Sequence, residues 1–162
     1  MFYVDKNIIN NSSLACFLFV FFTEEYEKLS IDDRFPDLMQ FLLILPFTWN
    51  KISREAIKTK KSSTPLDVVI QATPIIKSNI NQRIADYSGI TLQGLNFAVS
   101  SGLLIKVEAD NKILFKRSPA KWPTDIKKTL PSDMSKTIIR LANWFYHMDT
   151  PLIYSLLLGK SS

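Results

Sequence analysis

Residues 78–117 read SNINQRIADYSGITLQGLNFAVSSGLLIKVEADNKILFKR, and their pattern decides the fold. Ile76, Ile80, Ile84 and Tyr87 recur at helical spacing, and Gly89 stands where a helix C-cap takes a left-handed residue. Thr91 then opens a second helix, which Gly102 closes. Behind it, LLIKVEADNKILFKR alternates as two short strands around a tight Asp110–Asn111 turn. Helix, turn, helix and hairpin within residues 75–118 predict a winged helix-turn-helix, a binding module with no evident chemistry of its own.

Working outward, the chain is mainly α with this one small β-hairpin, its core flanked by N- and C-terminal apolar helices. Residues 1–50 form an N-terminal apolar helical segment, in which a helix capped by Asn11 or Ser12 runs to about Tyr26. Leu14, Phe17, Leu18, Phe21 and Phe22 share one face, while Phe19 and Val20 make the opposite face apolar as well. A helix apolar all round needs cover on more than one side, supplied by the chain's own core or by another chain. The block LMQFLLILPF (38–47) fits a buried helix or a buried strand, and Pro46 ends or bends it.

Residues 51–74 make a basic connection and a short helix, the latter started by Thr64–Pro65–Leu66–Asp67. The Lys-rich run reads as a solvated link, with a phosphate-facing or acidic-partner patch as the alternative. After the 75–118 unit, residues 119–162 supply a Pro- and Lys-rich linker and the C-terminal helices. Ser132 or Asp133 caps the first of these, and Asp149–Thr150–Pro151 starts the last. The four segments are expected to form one compact unit.

Composition narrows the function. A 162-residue chain that is 46% hydrophobic and 12% aromatic has ample material for a folded interior. A net charge of +5 fits a nucleic-acid or acidic partner without requiring one. Cys16, alone, excludes an intrachain disulfide and reads as a small buried hydrophobe. LACFLFVFF is too short to span a bilayer, and no leader cleavage pattern follows it, so a cytoplasmic protein is expected.

Reactive groups do not assemble on paper. A phosphate-cradling GxxxxGK[ST] loop is missing, and Glu24–Glu25 and Asp32–Asp33 read as solvated pairs. His147 beside Asp149 reads as a helix-end contact rather than a base. The expectation is a chain that is not an enzyme and carries no metal or cofactor. On the second helix of the 75–118 unit, Thr91, Gln93, Asn96 and Ser100 are the expected solvent-facing positions, none of them cationic. Cations lie instead at Lys58, Lys60 and Lys61, and on the hairpin at Lys106, Lys112, Lys116 and Arg117. These are the candidates for DNA-backbone or acidic-partner contact, without sequence readout.

The runs LLILPFTWNKISREAIKTKKSSTPLDVV, NQRIADYSGITLQGLNFAVSSGLLIKVEADNKILFK and SKTIIRLANWFYHMDTPLIYSLLLG, taken in order, resemble the middle components of bacterial three-component ABC systems. Leu45–Pro46 matches the family's Leu-Pro element, and Trp144–Phe145 its Trp–Phe pair. Where members often carry Gly–Arg before the Trp and Arg after the last Gly, this chain has Ala142–Asn143 and Lys160–Ser161, which leaves the subfamily open. The resemblance implies an accessory subunit that links an SMC/Rad50-like ABC ATPase to an effector, often a nuclease. Lamassu-type defence against phages and plasmids is the implied setting. ATP and Mg would then sit on the partner ATPase, and DNA would be met through the complex, non-specifically if directly. Phe17, Phe19, Phe22, Trp144, Phe145, Tyr146 and Tyr154 are the candidate aromatic anchors for partners. The alternative reading is a winged-helix transcription regulator that dimerises through its N-terminal helix.

Overall fold

The computed structural model describes residues 5–159, with side chains from residue 11 onward. Helix α1 (Asp5–Leu29) is the axis of the fold. It lies against α5 (Ile80–Ser100) and α7 (Ser132–Tyr146), and also meets α2 (Leu38–Thr48) and strand β2 (Lys112–Arg117). Leu18, Phe19, Val20 and Phe22, on opposite faces of α1, are all fully buried. The second cover that an all-round apolar helix requires is therefore provided within the chain. The helix also begins well before Asn11 and Ser12. Ser12 is committed elsewhere, its hydroxyl donating to Gln93 Oε1 at 2.9 Å instead of capping.

Phe41 on α2 is the hub of the aromatic core. It meets Phe19, Phe22 and Phe115 edge-on at 5.6, 5.3 and 5.2 Å, and Phe22 passes the contact to Phe145 at 6.1 Å. Each such pair adds about 0.5–1.5 kcal/mol beyond area burial, so this set clamps α1, α2, β2 and α7 together. The block 38–47 is a helix. Asp37 starts it with a full capping box, in which Gln40 Oε1 accepts from the Asp37 N–H. Pro46 sits inside α2, which stops two residues later.

The basic run is more ordered than a loose link. Asn50 caps α3 (Lys51–Ile57) by accepting from the Ser53 N–H at 2.9 Å. Helix α4 (Leu66–Ala72) and a 3-10 turn (Pro74–Lys77) follow. Pro65, not Thr64, is the N-cap of α4, and the Thr64 carbonyl instead accepts from Trp144 Nε1 at 2.8 Å.

The expected helix-turn-helix is replaced by one continuous helix. Gly89 and Thr91 lie inside α5, with no turn between them. A Cβ at Gly89 would meet nothing within 4 Å, and a helical glycine costs only about 1 kcal/mol against Ala. Buried Arg83, Thr91, Gly94 and Leu95 pay that back through packing on both sides of it. The end of the helix is as expected: Gly102 (φ +81) accompanies Leu103 N–H to Ala98 O and Gly102 N–H to Val99 O bonds, a Schellman stop.

Strands β1 (Leu104–Ala109) and β2 pair antiparallel from Leu104↔Arg117 to Ala109↔Lys112. Asp110 and Asn111 both take positive φ, 53° and 62°, as a type I′ turn demands. Beyond the hairpin come α6 (Ile126–Thr129), α7, and α8 (Thr150–Leu158). Pro131 rather than Ser132 or Asp133 is the N-cap of α7. Among the described residues no helix is long and apolar enough to cross a membrane.

Candidate partner-binding surfaces

Most of the expected aromatic anchors lie in the interior. Phe19, Phe22 and Phe145 are fully buried, and Trp144 and Tyr146 nearly so. Tyr146 is fixed at the C-terminus of α7, where Tyr26 meets it edge-on at 5.3 Å and the Arg34 guanidinium covers its ring at 4.0 Å. Phe17 and Tyr154 are half-buried. Phe17 stacks on Trp122 at 5.9 Å, and the Tyr154 hydroxyl donates to Met39 O at 2.6 Å, its pKa pushed up by burial. In this arrangement these rings hold the chain's own elements to one another.

The solvated apolar side chains are different ones. Leu152 is 58% exposed at the rim of a cleft of about 830 Å³ between the start of α2, the hairpin tip and the start of α8. Asp33, Arg34, Asp37, Lys112 and Asp149 also line it, so it presents both signs of charge around an apolar edge. Thr150 Oγ1 donates to Asp37 Oδ2 at 2.8 Å and locks α8 to the α2 cap. A second cleft, of about 600 Å³, has exposed Ile52 and Ile75 on its rim, and Arg83 also lines it.

Arg83 is spent on structure. Its guanidinium donates to the carbonyls of Pro46, Ile76 and Ser78 and to Ser53 Oγ, with burial lowering its pKa. The end of α2, the start of α3, the 3-10 turn and the start of α5 meet on this one side chain.

Among the expected cations, Arg117 is also committed. It pairs with Glu24 at 2.9 Å, and donates to Ala120 O and, through its backbone N–H, to Glu27. Glu24 is thus not a solvated carboxylate. Burial would raise its pKa, but hydrogen bonds from Trp122, Lys127 and Arg117 together outweigh that and hold it below the ordinary range. Glu27 goes the other way, raised by burial against the opposing Arg117 N–H. Neighbouring Lys116 lies 5.8 Å from the Phe35 ring, while Lys106 and Lys112 are exposed. Thr91, expected at the surface, is fully buried.

The strongest gathering of cations lies elsewhere, where α3 and the turn after it pack on α7. Lys58 bridges Glu55 at 2.9 Å and Asp133 at 3.1 Å. Lys60 donates to Thr73 Oγ1, and its carbonyl accepts from Arg140 Nε at 2.8 Å. Arg140 Nη1 also donates to Lys136 O, and Thr137 Oγ1 reaches Arg54 O at 3.4 Å. Arg54, Lys58, Lys60 and Arg140 are thereby gathered near two carboxylates, and Lys61 and Lys136, their neighbours on the same segments, are exposed. Lys136 and Arg140 were not expected from the sequence, since they stand far from Lys58–Lys61 along the chain. The available signal was their i, i+4 spacing on the polar side of an amphipathic helix.

The remaining reactive types are quiet. The Cys16 thiol is buried and its pKa pushed up to about 12. His147 Nδ1 lies 2.9 Å from Asn143 O at the end of α7. Among the described residues no group of three or more His, Cys, Asp or Glu converges to hold a metal. Lys160–Ser161 lies outside the described residues.

No curated protein and no solved structure matches the chain. One family model does, described as ABC-three component (ABC-3C) system Middle Component 3, over residues 6–159. That match runs from the first turn of α1 to the residue that ends α8, taking in Leu45–Pro46, the hairpin and Trp144–Phe145, and by it the chain belongs to the Middle Component 3 family of ABC-three component systems.

Proposed function

We propose that the chain is a non-catalytic accessory subunit that bridges the ABC ATPase and the effector of its three-component system, in defence against phages or plasmids. The observation that carries this reading is the family match across residues 6–159. The middle component of a three-component system has at least two other components to meet. Exposure on the surface supports a reading of where they would be met. With most of the expected aromatic anchors interior, contact falls to the solvated apolar side chains, chiefly Leu152 at the cleft beside the hairpin tip and Ile52 and Ile75 beside Arg83. Apolar side chains on a concave, polar-rimmed surface are what a protein partner desolvates with gain. On this reading the ATPase is of the SMC-like kind and holds the ATP and Mg, and the effector belongs to a class that is often a nuclease. DNA is met through the assembled complex.

Co-expression with the ABC ATPase and effector encoded alongside tests the reading. Stable co-elution on size exclusion is the expected result, weakened by Leu152→Asp or by Ile52→Asp with Ile75→Asp. Elution of the chain apart from both components at micromolar concentration overturns it.

A further inference from the structure

The basic surface on α3 and α7 has no place in the core, and its composition selects a partner. Arg54, Lys58, Lys60 and Lys61 come from one segment, Lys136 and Arg140 from another, and the fold brings them together through the Arg140–Lys60 and Lys58–Asp133 contacts. Lys61 and Lys136 are exposed. On the exposed side of the same helix, one turn from Lys136, stands Ile139, 37% exposed.

This mixture argues against a nucleic-acid backbone. Phosphates gain nothing from a solvated isoleucine, and they are repelled by Glu55 and Asp133, which sit among the cations. A protein helix with acidic residues beside an apolar stripe answers every component at once. Its carboxylates meet Lys61, Lys136 and Arg140, its apolar stripe covers Ile139, and Glu55 and Asp133 penalise a misplaced register.

We propose that the α3–α7 surface docks an acidic amphipathic helix of another component, a surface separate from the two apolar-rimmed clefts. The proposal rests on the accessory-subunit reading for the partner's origin. Charge complementarity determines orientation and encounter rate, and the single apolar contact at Ile139 adds residence time.

Binding of the full chain to a fluorescein-labelled synthetic helix, with Glu and Leu on adjoining faces, tests this by anisotropy at physiological salt. Poly-L-glutamate and a short DNA duplex serve as competitors. Saturable binding is expected, weakened about tenfold or more by Lys61→Glu with Lys136→Glu, both exposed positions whose replacement leaves the far-ultraviolet circular dichroism unchanged. Ile139→Ser is expected to weaken the peptide and leave poly-L-glutamate untouched. Peptide binding that is absent, or indifferent to both variants, overturns the proposal. So does a duplex that binds more tightly than the peptide and is lost with the same lysines. If the unaltered chain fails to co-elute with ATPase and effector, the accessory reading falls instead. Co-elution alongside unaltered peptide binding by the variants removes only this surface.

Discussion

Gly94 shows how closely a single residue governs the fold. A Cβ there would lie 2.9 Å from Ala15 Cβ and from Phe19 Cε2, and 3.2 Å from Cys16 N, so α1 and α5 cross at backbone range. Gly94→Ala should cost about 1–3 kcal/mol by overpacking. Gly89→Ala, in open space on the same helix, should raise stability by about 0.4–1 kcal/mol. Thermal melts of the two variants decide the matter, and a destabilised Gly89→Ala would restore the turn expected there. Sequence alone singles out Gly89 as a turn and gives Gly94 no role, because what decides between them is what faces each across the fold. Glu24 carries the same lesson for charge. Its neighbour Glu25 pairs with Lys28 one turn along the same helix, whereas Glu24 draws in Arg117, Trp122 and Lys127 from far along the chain. A carboxyl with a lowered native pKa stabilises fully above its ordinary value, and that stabilisation fades as pH falls through the native value. Glu27, raised, contributes with the opposite sign, so the comparison must be with Glu24→Gln. The variant should be less stable by about 1.5–3 kcal/mol near neutrality, with the gap narrowing in melts as pH falls below the ordinary glutamate range.

At the scale of elements, helix ends explain what patterning could not. The last carbonyls of α7 are taken by side chains from elsewhere: Phe145 O by Gln40 Nε2 at 3.0 Å, Tyr146 O by Arg34 at 3.4 Å. Lys77 donates to Leu156 O near the end of α8. Such long-range bonds are invisible to local signals, and Thr64 and Asp133, read as starts, likewise serve distant partners, the Trp144 indole and Lys58. Local signals did suffice where the chemistry is local. The Asp110–Asn111 turn and the Gly102 stop are both where the residues place them. Arg83 is the severest case of the long-range kind, for it holds four elements through neutral oxygens. Arg83→Met should leave buried carbonyls unpaired and cost about 3 kcal/mol or more, and Arg83→Lys should recover little of it, lacking the planar fork. Hydrogen exchange should quicken across residues 74–83 in both variants; protection unchanged from the unaltered chain would contradict this role.

For the whole molecule, α1 makes the difference between expectation and structure. Its all-round apolar character was legible, but whether another chain was needed to cover it was not. The answer depends on α5 and α7 returning from distant parts of the sequence to enclose it. The cationic surface was legible by half for the same reason. Since Trp49 meets Tyr87 on α5, Trp122 bonds Glu24 on α1, and Trp144 is buried in α7, the three indoles report on separate parts of one core. Urea unfolding followed by tryptophan fluorescence and by helical circular dichroism should therefore give one coincident transition. Two resolved steps would show the 75–118 segment to be independent of α1. The sealed position of Cys16 at the α1–α5 crossing has a practical corollary. A maleimide dye offered to the folded chain will pass over that sulfur and attach wherever a surface cysteine is installed. Ile31, 95% solvated, is a ready place for one, giving a single-colour beacon from which distances to the neighbouring subunits can be measured.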